Sequence, residues 1–195
     1  DADDFWARMQ LELASLTPRD RANIDWLEGP NEFDNTPNWG SNGEQAQRFA
    51  AFWDRLADRM HEAGFHPLVG SVAVGNPALG GELLFDGRGA MGPLADVIRR
   101  KARSYRIGWS YHSYTDDLTP GNGMDPYLPF RFRRIQAEAG LAGIPLVLTE
   151  GGQDSGPGNT HGGWQSGQRP NNTKEAYLRW LAWFDTQLQQ DIDVQ

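Results

Sequence analysis

The chain has 195 residues, with 26 acidic and 18 basic side chains, a net charge of −8 and no cysteine. This length supports one well-buried core in a single domain, residues 1–195. The acidic balance argues against nucleic acid and anionic membrane as partners, since both need clustered cations; the lack of cysteine removes disulfides, thiolate metal sites and cysteine nucleophiles.

Residues 3–16 carry Phe5, Met9 and Leu13 at fourfold spacing, which predicts a helix ended by Pro18. The apolar run 24–28 reads as a strand, followed by the turn residues Gly29-Pro30-Asn31-Glu32. Residues 43–63 form the clearest helix, with Ala46, Phe49, Ala50, Trp53, Leu56 and Met60 on one face and Gly64 closing it. Pro67 to Val74 is β-rich, and 75–92 reads as a glycine-rich loop. Pro93 suits the first turn of a helix over 93–104. Arg106 to Tyr111 reads as a strand, Asp116 to Asp125 as a loop, and 126–139 as a helix ended by Gly140. A strand over 144–149 leads into a long loop, 151–171. The last helix, 173–190, lines up Tyr177, Trp180, Leu181, Phe184 and Leu188. At Asp191-Ile192-Asp193-Val194-Gln195 a further strand is expected to begin.

Strands that alternate with helices imply parallel β/α units. The fold expected is α/β: a (β/α)8 TIM barrel, or a partial barrel of about four consecutive β/α units, with an open doubly wound sheet as the alternative. An eight-stranded barrel takes at least about 200 residues. The four strands read here therefore leave room for a further segment or chain that completes the barrel. The long loops follow strands and the short returns follow helices, an asymmetry that marks the active face of a barrel.

Two carboxylates stand where β runs give way to turns. Glu32 follows the first run, and Glu150 follows Ile144-Pro145-Leu146-Val147-Leu148-Thr149. Barrel enzymes put their chemistry at such strand ends, and a facing carboxylate pair is the minimum equipment for cleaving a glycosidic bond. Sugar rings also need flat apolar platforms, for which Trp39 and Trp164 are the loop candidates. Glu28, four residues before Glu32, reads as a structural partner. His61 and His66 flank a helix end without a chemical role, and His161 sits in the long loop. Asp116, Asp117 and Asp125 do not have the spacing of a calcium loop. There is no His-Glu-x-x-His, Gly-x-Ser-x-Gly or phosphate-binding loop, so neither cofactor nor metal is expected.

Asn31-Glu32, His112-Ser113-Tyr114 and Thr149-Glu150-Gly151, in that order, resemble glycoside hydrolase clan A, the retaining glycosidases built on (β/α)8 barrels. The resemblance spans about residues 22 to 190, the fourth to seventh strands of the family pattern, and is nearest to family 39 or the glycosyl hydrolase catalytic core group. It implies an O-glycoside hydrolase of polysaccharide or glycoside degradation. Glu32 would be the general acid/base and Glu150 the nucleophile. Tyr114 would hold Glu150 ionised, Asn31 would contact the sugar 2-hydroxyl and His112 would line the floor. An incomplete barrel leaves one alternative, a carbohydrate-binding fragment that does not cleave.

Overall fold

The computed structural model describes residues 1–32, 43–76, 89–122, 125–154, 163–166 and 172–195. The chain begins with helix α1 (Ala2–Ser15), capped by the Asp1 side chain, and a short helix α2 (Pro18–Ala22). Pro18 opens α2 rather than merely ending α1. Thr17 accepts from the Asp20 amide as N-cap, and proline at the first helical position forfeits only an N–H that would be unpaired anyway. Then follow β1 (Trp26–Glu28), α3 (Gly43–Glu62), β2 (His66–Val72), α4 (Gly92–Lys101), β3 (Gly108–Thr115), α5 (Arg131–Ala139), β4 (Leu146–Gln153), a 3-10 turn (Trp164–Ser166) and α6 (Lys174–Leu188).

The four strands form one parallel sheet in the order β1-β2-β3-β4. A doubly wound sheet reverses its strand order at a switch point; here the order follows the chain, as in a barrel. The fold is a half-barrel, with half the strands of a full (β/α)8 barrel. Its curl is visible in side chains that skip strands. Three strand spacings of about 4.8 Å would hold β1 and β4 about 14 Å apart in a flat sheet. Yet the Thr149 hydroxyl of β4 donates to Glu28 Oε1 of β1 at 3.1 Å. The Trp26 ring of β1 likewise lies where a Cβ on Gly108 of β3 would meet it at 3.1 Å, so glycine leaves room for an indole in the concave floor.

The core lies between the convex side of the sheet and the helices. From α3 it takes Phe49, Trp53, Leu56 and Met60, from α4 Leu94 and Ile98, and from β3 Trp109 and Tyr111. Side chains on β3 alternate with period two. Trp109 and Tyr111 join that core, while Ser110, His112 and Tyr114 occupy the other face.

Among the boundaries that differ from expectation, three bear on the site and its surroundings. β3 runs through Thr115 and β4 through Gln153, so His112, Tyr114 and Glu150 lie within strands instead of at their ends. α5 begins only at Arg131, after turns over 125–130. Beyond α6 the Leu146 amide donates to Asp193 O at 2.8 Å and the Gln195 amide to Leu146 O at 2.9 Å. These bonds set Val194 as a parallel bridge beside β4, where a further strand was expected to start.

Candidate active site

β3 is the axis of the site. His112 is fully buried, and its ring reaches three other elements. Its Nδ1 lies 2.7 Å from Glu32 Oε1 and 3.5 Å from Glu150 Oε2; its Nε2 lies 3.4 Å from Ser71 Oγ. One oxygen each of Glu32 and Glu150, with a ring nitrogen of His112, all lie within 4.8 Å of one another. Glu32 and Glu150 are 29% and 38% exposed, so the two acids open to solvent above a closed histidine floor.

Two irregularities flank β3 at this level. Between β3 and β4 the register shifts from Tyr111↔Leu148 to His112↔Glu150, so β4 carries an extra residue at Thr149. Such a bulge re-aims the side chains beside it. It lets consecutive residues both face inward, Thr149 to Glu28 and Glu150 to Tyr114 and His112. Between β2 and β3 the step from Val69↔Trp109 to Val72↔Tyr111 places the extra residue at Gly70-Ser71. Gly70 has φ 109° and Ser71 φ 44°. Among the described residues only Ser71 and Glu32, also at φ 44°, adopt positive φ without being glycine. Both belong to this site, as stored backbone strain often does.

Tyr114 donates from its hydroxyl to Glu150 Oε2 at 2.9 Å. Burial, then that bond and the charge of Glu150, push the Tyr114 hydroxyl up to about 12. It therefore remains a donor at any ordinary pH. Asn31 is exposed, and its Oδ1 accepts from Ser71 Oγ at 3.4 Å.

Of the expected site residues, Glu32, Glu150, His112, Tyr114 and Asn31 converge here. Trp164 sits in the 3-10 turn and stacks on Tyr177 of α6, with ring centroids 6.0 Å apart. A Cβ on Gly152 would come within 3.4 Å of the Tyr177 hydroxyl and 3.9 Å of the Tyr114 ring. Among the described residues the ring partner of Trp164 is therefore Tyr177, which borders Gly152 of β4. Trp39 and His161 lie outside the described residues. Glu28 bonds Thr149, in keeping with a structural role. His61 stacks on Tyr105 at 4.0 Å, and His66 lies 3.9 Å from Asp25. Asp117 Oδ1 accepts from the Thr119 amide and hydroxyl, which closes the loop on itself.

Ser71 and the bulge at Thr149 escape a reading by residue type. The signal for Ser71 is Gly70 inside a Val-rich strand, a position that often marks a bulge.

Glu32, His112 and Glu150 are also the group of described residues that could hold a metal ion, in a two-carboxylate, one-imidazole set suited to a borderline divalent cation. The 2.7 Å approach of His112 Nδ1 to Glu32 is a hydrogen-bond distance.

A cavity of about 470 Å³ runs beside β4, lined by Glu150, Thr149, Leu148, Phe184 and Leu188. Another of about 430 Å³, near Asp125, Arg133 and Trp183, contains neither acid. Of these two, only the first is lined by a member of the Glu32–Glu150 pair. Comparison with protein-family models, curated proteins and solved structures finds no match to this chain.

Proposed function

We propose that this chain is a retaining O-glycoside hydrolase of clan A type, acting on a β-linked glycan or glycoside. The observation that carries the reading is the pairing of Glu32 and Glu150, with an oxygen of each inside one 4.8 Å cluster around His112. Retaining glycosidases hold their carboxyl groups about 5–5.5 Å apart, and inverting ones about 6.5–9.5 Å apart to admit a water.

In the first step Glu150 attacks the anomeric carbon while Glu32 gives its proton to the departing oxygen. A glycosyl ester forms on Glu150 and the glycosidic C–O bond breaks. In the second, Glu32 takes a proton from water, whose oxygen displaces Glu150 and restores both acids. The Tyr114 hydrogen bond suits Glu150 to the nucleophile's role. Glu32, 2.7 Å from His112 Nδ1 and part-exposed, is left the acid/base role of the pair. Asn31, exposed beside Glu32, is set for the sugar 2-hydroxyl.

A sugar-binding half-barrel that does not cleave is the second reading. It draws on the place of Glu150 on β4, which pairs along its length with β3 and on its other side only through the Val194 bridge among the described residues. Glu150→Ala separates the two. Under the hydrolase reading, turnover of an aryl glycoside collapses and added azide partly restores it. Unchanged turnover ends that reading.

A further inference from the structure

Ser71 is the residue of the site that no catalytic role has yet used, and it is costly to hold. A serine at φ 44° sits in the left-handed region that L side chains avoid. The Ser71 amide is held by Ser110 Oγ at 2.9 Å, and the bulge at Gly70-Ser71 turns the hydroxyl toward the acids. There Ser71 Oγ meets three groups at once: the Glu32 amide at 3.3 Å, Asn31 Oδ1 at 3.4 Å and His112 Nε2 at 3.4 Å.

A hydroxyl has one proton to give and two lone pairs to receive with. The Glu32 amide takes one lone pair. The hydroxyl's own proton goes to Asn31 Oδ1, which fixes the Asn31 side chain by its oxygen, and the His112 ring packs on the remaining side of the hydroxyl. The other groups facing His112 are Glu32 from the turn after β1, Glu150 from β4 and Tyr114 on its own strand; β2 presents only the hydroxyl among the described residues.

We propose that Ser71 is a positioning residue whose hydroxyl, anchored by the Glu32 amide and the His112 ring, fixes Asn31 for its grip on the sugar 2-hydroxyl. The inference rests on the glycosidase reading for its substrate, and on the contacts of Ser71 for its mechanism. Hydrogen bonds to the 2-hydroxyl strengthen in the glycosidase transition state, so a fixed Asn31 acts where the barrier is.

The test compares Ser71→Ala with Ser71→Gly. Both remove the hydroxyl, but glycine tolerates the positive φ and alanine does not, so Ser71→Gly is the more stable variant. On a 2-hydroxy aryl glycoside both should lose about tenfold in kcat/KM, the worth of one neutral hydrogen bond. On the matching 2-deoxy glycoside the loss should vanish, because Asn31 has nothing to hold. Equal losses on the two substrates, or losses that follow stability and spare Ser71→Gly, would overturn the proposal. Nitrogen-15 spectra of the His112 ring give a reading that needs no turnover. In Ser71→Gly the Nε2 resonance should move from its native position; an unchanged resonance rejects the Ser71–His112 contact on which the positioning rests. A native chain that cleaves no glycoside would reject the hydrolase reading, and the ring spectrum would still decide the role of Ser71.

Discussion

The Tyr114 hydroxyl and Glu150 Oε2 lie 2.9 Å apart, so a phenol's proton and a carboxylate's charge are held by one contact. Burial and Glu150 push the Tyr114 hydroxyl up to about 12, whereas an unfolded tyrosine titrates near 10. The folded chain thus holds this proton more tightly. Its contribution to stability is whole below about pH 10 and is lost as pH rises through about 12. Urea midpoints between pH 9 and 12 should fall more steeply for the native chain than for Tyr114→Phe; parallel curves would contradict the assignment. Near neutral pH, Tyr114→Phe should lower kcat by roughly 10- to 100-fold, the range for a hydrogen bond to a charged group.

Glu32 and Glu150 should answer differently to the leaving group. If Glu32 supplies the proton, Glu32→Gln loses about 10²–10⁴ in kcat/KM on a glycoside with a poor leaving group. An activated aryl leaving group needs little protonation, so the loss there should be much smaller. The measurement is a series of aryl glycosides of graded leaving-group acidity. A uniform loss across that series would strip Glu32 of the acid's role.

The three ligand-capable atoms around His112 make a further expectation about metals. Zinc should take the place of the Glu32–His112 contact and engage Glu150 as well. Added Zn²⁺ should therefore inhibit, and more weakly as pH falls, because protonated ligands bind metal poorly. A chelator should leave the untreated protein's activity unchanged. Loss of activity on chelation, with recovery on metal addition, would show that the trio works as a metal centre.

The order of the strands was legible because buried parallel strands read as apolar runs between helical periods, as Leu68-Val69 and Leu146-Val147-Leu148 do. Their ends were not. His112-Ser113-Tyr114-Thr115 and Glu150-Gly151-Gly152-Gln153 look like turns, since a strand that lines a polar site carries the residues usually found in loops. That the acid pair, His112, Tyr114 and Asn31 come together could be expected from residue type and order, because each follows or ends a β run. Ser71 could not. Its place comes from a backbone conformation, φ 44° at a bulge, for which the neighbouring Gly70 is the one signal and the serine itself gives none. Trp164 was named for a flat ring, but whether a ring faces a cleft or stacks on Tyr177 depends on a neighbour 13 positions along the chain.

Gly29, three positions before Glu32, is where packing and chemistry meet. A Cβ there would lie 2.4 and 2.6 Å from the Trp53 ring and 2.9 Å from Leu56, and both side chains are fully buried in α3. Neither can swing into solvent, so the β1 turn itself would have to lift from the core. Overpacking of this kind costs about 1–3 kcal/mol. Gly29→Ala should lower stability by that amount in urea unfolding. Because Pro30-Asn31-Glu32 follows directly, it should also lower kcat beyond what the unfolded fraction explains, by moving Glu32 away from His112 Nδ1. The check is kcat measured well below the unfolding transition, alongside the His112 ring spectrum. A stability loss with native kcat would mean that the turn absorbs the shift before it reaches the acid.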